Sequence, residues 1–397
     1  MIAKRRARRP IGPATIGGAY YGFFWPMVAM YAPYFNVYLL ELGFSGTQIG
    51  VLAAVFPLFA LVVAPALSAL ADRRGWRLWL LQISLVGWAA VLLVYPFATA
   101  FATFLLLVIV ESAMRSPSLP IADGVIARMA ARHRLNYGDM RLWGSFGFAA
   151  VSILSGMAWQ QVGYRTMFLA AALAVLPALF VARKLEEGEL AVTNGRRSIL
   201  FLAQDKGLVI LYVSAFLLGM ALFSTFIFGG VFISQLGGSE TDIGLLFGLS
   251  ALAEVPIMRH SGAIIRRLQG PQALLLAMFF LAIGLLGFAL AWSPIVLIIA
   301  GAVKGVGYGL LFVVMVQLLN ERAPEGWNST AQSVFQAAFL GLAPLLTSAL
   351  SGYIYDVWGA NLLFGLMTAV IGLSIILLLF ALRQNWFIPH DWKFEES

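Results

Sequence analysis

The sequence predicts an all-α membrane protein of twelve transmembrane helices, built as two pseudo-symmetric six-helix bundles. Three observations predict it: the composition, the length and spacing of the apolar runs, and short motifs that return about 195 residues later.

Composition comes first. Hydrophobic residues fill 61% of the 397 positions and charged residues 11%, whereas a soluble domain is roughly a quarter charged. The chain lacks the polar side chains to cover itself in water, so lipid must cover it. There is no cysteine, which excludes disulfides, thiolate metal sites and thiol nucleophiles together. The three histidines, at 133, 260 and 390, are too scattered for a metal cluster, and no cofactor is expected. The net charge of +8 does not indicate nucleic acid, because the basic residues sit in short clusters between apolar runs. One cluster, Lys4 to Arg9, resembles a signal-peptide n-region. The apolar stretch behind it is too long for an h-region and no clear cleavage site follows, so it is expected to stay as a cytoplasmic anchor.

Crossing the hydrocarbon core takes about 20 apolar residues. Runs of that kind predict helices at 17–40, 47–71, 77–97, 101–127, 141–163 and 165–184, then 207–233, 240–265, 271–291, 294–320, 328–355 and 359–383. Lys and Arg concentrate in cytoplasmic loops. With the N-terminus inside, the inside loops hold Arg73, Arg74, Arg77, Arg128, Arg132, Arg134, Arg183, Lys184, Arg196, Arg197, Lys206, Arg266, Arg267, Arg322, Arg383 and Lys393, and the outside loops hold Arg165. That asymmetry predicts both termini in the cytoplasm and a multi-pass protein of the bacterial cytoplasmic membrane. The domains follow: a first bundle over 1–184, a polar cytoplasmic linker over 185–206, a second bundle over 207–383 and a tail over 384–397.

The segment from Leu42 to Gly50 returns from Leu236 to Gly244, with Leu, Gly, Ser, Thr and Ile-Gly in register 194 residues apart. Ser155-Gly156, Gly163 and Phe168 return as Ser351-Gly352, Gly359 and Phe364 at an offset of 196. Gly and Ser are common at helix ends, but shared order and register in two separate loops indicate duplication, a frequent feature of transporters.

Several motifs then resemble one family. Ser68-Ala69-Leu70-Ala71-Asp72-Arg73-Arg74-Gly75-Trp76-Arg77 is similar to the loop after helix two of the major facilitator superfamily, with Ser68 in place of Gly and Trp76 in place of Arg. The resemblance implies two six-helix bundles around a central cavity, and a gating loop of Asp72, Arg73 and Arg77. Tyr31-x-Pro33-x-Phe35, Pro120-x-x-Asp123, Tyr137-Gly138-x-x-Arg141 and Glu254-x-Pro256 resemble the branch holding lactose, nucleoside and phenylpropionic-acid permeases. That resemblance implies proton-coupled uptake, and makes Asp123 and Arg141 a substrate-binding or gating pair. Phe148 stands where lactose permease has a sugar-stacking Trp, and the Glu and Arg of its proton relay have no evident match, so a sugar is not the expected substrate.

Ionisable groups within membrane helices are costly and usually functional. Mid-span charges fall at Glu111, Arg115, Glu254 and Lys304, on helices the superfamily places around its cavity. Glu111 and Arg115 are spaced for a helical ion pair, which is either a local neutralisation or part of proton coupling. Glu254 is expected to be the proton site, with Lys304 facing it and either tuning it or taking an anionic substrate; an inert buried pair is the competing reading. Tyr31 and Asn36 are expected on the cavity side of the first helix, while Tyr20, Tyr21 and Tyr38 fit an interfacial aromatic belt. Gln332 and Gln336, four apart, share a face and are expected to bond substrate or a neighbouring helix. The function expected is proton-coupled symport of a small organic solute, an aromatic or other carboxylate that uses Arg115, Arg141 or Lys304, by a monomer whose partners are its substrate, protons and the bilayer. A proton-driven exporter of small amphiphiles shares this architecture. An intramembrane enzyme is disfavoured, because no metalloprotease or nucleophile motif occurs.

Overall fold

A computed structural model describes residues 12–187 and 199–387. The basic cluster at 4–9, the linker positions Arg196 and Arg197, and Lys393 in the tail lie outside the described residues. Within them the chain is helical, with no strand.

The helices are α1 (Pro13–Glu41), α2 (Gly46–Arg74), α3 (Arg77–Val94), α4 (Phe101–Arg115), α5 (Ser118–Arg132), α6 (Tyr137–Val162) and α7 (Arg165–Ala182), followed by α8 (Lys206–Gln235), α9 (Glu240–Leu268), α10 (Gly270–Ala289), α11 (Pro294–Arg322), α12 (Asn328–Gln336) and α13 (Ala343–Arg383). Each predicted span finds a helix, with three differences. The fourth span is two helices, α4 and α5, broken at Ser116-Pro117, because a proline offers no N–H to continue the ladder. The sixth helix begins at Tyr137, four residues before the expected start at 141, where the Asn136 side chain accepts the Gly138 N–H at 2.9 Å. The last two spans are continuous through α12, a π-helical turn at Ala337–Leu342 and α13, which changes direction at Gly359.

Among the described residues, ten helical stretches are long and apolar enough to cross a membrane. The glycine-, proline- and tyrosine-rich α1 is not among them, and the last of the ten, Asn328–Arg383, contains the Gly359 turn. The outer surface suits lipid. On α7, Leu169, Leu173, Leu176 and Phe180 form an exposed stripe at helical spacing, which water would not tolerate at this extent.

The repeated glycines have a backbone reason. Gly43 and Gly237 end α1 and α8 at φ 85° and 77°, and Gly163 and Gly359 stand at φ 77° and 81°, a region closed to most side chains. These four turns define one end of the bundle, here the far face. The opposite end, the terminal face, carries the start of α1, the turns at 75 and 133–136, and the end of α13. There Arg322 donates from Nη2 to both oxygens of buried Asp205 at 2.7 and 2.8 Å and to the Trp386 carbonyl at 2.9 Å. This ion pair ties the start of α8, the end of α11 and the chain after α13 into one knot.

The halves meet along two seams, α2 against α13 and α6 against α9. Their closest approaches lie towards the far face, where the Gly50 and Gly352 backbones lie against Ser348 and Gly46, and Gly156, Gly244 and Gly248 bring α6 against α9. Nearer the terminal face, Arg141, Trp143, Met258, Arg259 and His260 are exposed. The seam is shut at the far face and opens as a cleft towards the terminal face.

Candidate functional site

Four side chains from three helices converge on the wall of this cleft. Tyr21 on α1 donates its hydroxyl to Asp123 Oδ1 on α5 at 2.5 Å, and lies 2.9 Å from the Tyr137 hydroxyl on α6. One turn along α6, Arg141 Nη1 is 3.2 Å from the Tyr137 oxygen and 3.6 Å from Asp123 Oδ2. The Arg141 side chain remains 49% exposed and that of Asp123 28%, so both can meet a solute. The sequence pairs Asp123 with Arg141, and the structure brings them together. Tyr21 was expected in an aromatic belt; instead it is fully buried, as are Tyr20 and Tyr38. These tyrosines are enclosed by the helices around α1.

A second polar cluster lies inside the first half. Glu111 accepts the Tyr31 hydroxyl at 2.8 Å, the Tyr95 hydroxyl, and Arg115 Nη1 at 3.3 Å. Arg115 also donates to the Tyr31 oxygen at 3.1 Å, and its guanidinium lies 4.4 Å from the Phe56 ring centre and 5.1 Å from that of Trp88. Tyr31 therefore does not present its hydroxyl to the cleft as expected; both of its polar contacts are inside the bundle.

In the second half, Lys304 Nζ on α11 donates to Thr225 Oγ1 on α8 at 3.1 Å and stands 6.0 Å from the Phe288 ring centre. The expected facing pair with Glu254 is not formed: among the described residues the two make no ion pair within 4.0 Å, though each lies in the other's electrostatic field. The repeat accounts for this arrangement. Thr225 stands 194 residues after Tyr31, Phe288 193 after Tyr95, and Lys304 193 after Glu111. The same place in each half thus holds an ionisable group, a buried acid in one and a half-buried base in the other. Glu254 on α9 lies against α11, where its backbone approaches Gly309.

The remaining candidates are dispersed. Asn36 donates to the Ile227 carbonyl at 3.0 Å and so clasps α1 to α8 across the halves. Gln332 donates to Asn320 at 2.8 Å, and Gln336 is exposed at the end of α12. In the loop after α2, Arg77 Nε donates to Asp72 at 2.5 Å, while Arg73 is exposed. Close by, Glu187 accepts the Leu78 N–H at 2.9 Å at the start of α3. Beside it Glu186 contacts His133 at 3.0 Å, and that hydrogen bond holds its carboxyl below the usual range. No group of metal-ligating side chains occurs among the described residues.

Comparison with known proteins gives the same fold. The model of the MFS_1 like family matches residues 16–366. The chain is 30% identical to the maltose permease of Geobacillus stearothermophilus, over 91% of this chain and 92% of that one. It is 24% identical to the "Probable 3-phenylpropionic acid transporter" of Escherichia coli (strain K12), over 86% and 90%. Among solved structures, the nucleoside transporter NupG superposes with a TM-score of 0.77 at 15% identity, covering 94% of this chain and 99% of that one.

Proposed function

The chain belongs to the MFS_1 like family of the major facilitator superfamily, and from that premise we propose that it takes up a small organic solute together with protons, by alternating access of twelve helices. In this reading it works as a monomer in a bacterial cytoplasmic membrane with both termini inside, so the cleft faces the cytoplasm. One observation carries the proposal: on the wall of the cleft between the halves, Asp123 and Arg141 form a charged pair whose side chains stay part exposed, at 28% and 49%. A solute bound there lies between the two rocking units.

Asp123, Arg141 and Tyr137 are the proposed recognition site, with buried Tyr21 holding Asp123 in place. Asp123 and Arg141 already pair with each other, as do Glu111 and Arg115. The site therefore offers donors and acceptors with little net charge, which favours a neutral hydroxylated solute, and one relative is named a maltose permease. The carboxylate expected from the sequence remains a second reading, favoured by Lys304, whose hydrogen bond goes to the neutral Thr225 hydroxyl. Glu254 is the proposed proton site.

Melting the purified protein with maltose or with 3-phenylpropionate separates the two substrate readings, because a ligand that binds the folded state at about 100 times its Kd adds roughly 2.7 kcal/mol. Stabilisation by maltose that disappears in Arg141→Ala supports the first, and stabilisation by 3-phenylpropionate that disappears in Lys304→Ala supports the second. In proteoliposomes, Glu254→Gln is expected to abolish accumulation driven by a proton gradient while solute exchange continues. Undiminished uphill accumulation in that variant would remove Glu254 from the coupling role.

A further inference from the structure

Asp356 lies on α13 three residues before the Gly359 turn, and its carboxylate serves a helix of the other half. Gly46 N–H donates to Oδ1 at 2.6 Å, Thr47 N–H to Oδ2 at 2.7 Å and the Thr47 hydroxyl to Oδ2 at 2.6 Å. A helix start leaves four N–H groups without intrahelical partners. In α2 the Ser45 side chain takes the Gln48 N–H and the Gln48 side chain takes that of Ser45. The two between them, on Gly46 and Thr47, are taken by Asp356. These bonds are charge-assisted, and the anion sits at the positive end of the helix dipole.

The corresponding start of α9 is built differently. It has its own acids in the first turn, Glu240 and Asp242, and Asp242 closes a reciprocal box with Ser239 at 2.8 Å. In α2 the box residue is the neutral Gln48, and the first turn holds no acid. The repeat position of Asp356 in the other seam, 196 residues earlier, is Gln160, whose Oε1 accepts the Thr241 hydroxyl at 2.6 Å. One seam carries its carboxylate within the helix it caps; the other receives it from across the interface.

We propose that Asp356 is the latch of the far-face gate: it completes the start of α2 when the halves are shut there, and opening that face releases it. The inference rests on alternating access and is independent of which solute or ion is carried.

The chain has no cysteine, so spin labels at Val51→Cys and Val357→Cys, on exposed positions of α2 and α13, report the far-face separation in lipid nanodiscs. Asp356→Ala is expected to move the open-to-closed ratio about tenfold towards the longer distance, the effect of losing charge-assisted bonds. Asp356→Asn, which keeps an acceptor without the charge, is expected to move it part of the way. Gln48→Asp gives α2 its own acid and sets a like charge beside Asp356; it opens the gate with the latch residue still present, and serves if Asp356→Ala fails to fold. Gln160→Ala is expected to change little. Distributions for Asp356→Ala or Gln48→Asp that superimpose on the parent's overturn the proposal, as does an equal opening in Gln160→Ala. Because this readout needs neither substrate nor proton gradient, failure of the coupling assignment leaves its result intact.

Discussion

Glu111 and Lys304, at matched positions, differ in how well their charge is answered: Lys304 has one threonine hydroxyl and a distant ring. Glu111 has two phenols and a guanidinium, and Arg115 has that carboxylate plus the faces of Phe56 and Trp88. Breaking such a pair strands the other charge and costs roughly 3–5 kcal/mol, whereas losing one neutral donor costs about 1–2 kcal/mol. Arg115→Leu is therefore expected to lower the melting temperature in detergent far more than Tyr95→Phe, and Arg115→Leu with Glu111→Gln to recover much of the loss. An equal effect of the two single variants would show that the cluster is not held by charge. The Glu111–Arg115 pair was legible in the sequence because four residues of helix fix the distance. The role of Tyr21 was not. A tyrosine near a helix end fits a membrane interface equally well, and only Asp123, 102 residues away, decides between the two.

At the scale of elements, turns were more legible than breaks. Ser-x-x-Gln and Ser-x-x-Asp at the starts of α2 and α9 form reciprocal caps, and the glycines before them take the left-handed turn. The break at Ser116-Pro117 escaped because the apolar run from 101 to 127 continues through it. The Gly359 turn has φ 81° and ψ 174°, a combination essentially confined to glycine. Its repeat partner Gly163 has φ 77° and ψ 164°. Gly359→Ala and Gly163→Ala are each expected to destabilise by roughly 1–3 kcal/mol. Gly372, within the helical part of α13, has open space where a Cβ would go, so Gly372→Ala is expected to stabilise by up to about 1 kcal/mol. Thermal melts of the three variants check the signs, and a stabilising Gly359→Ala would mean that α13 does not turn there.

For the whole molecule, the division of charge between the faces argues orientation. The terminal face carries Arg73, Arg74, Arg132, Arg183, Arg266 and Arg383, whereas the far-face ends hold Arg165 with Glu41, Glu240, Asp242 and Asp356. Positive residues are retained on the cytoplasmic side during insertion, so the terminal face, and the cleft opening on it, are expected to face the cytoplasm. The duplication makes a stricter demand: if Gly359 repeats Gly163, Asn328–Arg383 must cross the membrane twice. Alkaline phosphatase fused after Gly163 or after Gly359 is expected to be active, and green fluorescent protein fused after Ser397 to fluoresce, since the first works only outside the cytoplasm and the second folds well only inside it. Activity at Gly163 combined with inactivity at Gly359 would place the two glycines on opposite sides, and neither the twelve-span count nor the symmetry of the far-face seams would survive it.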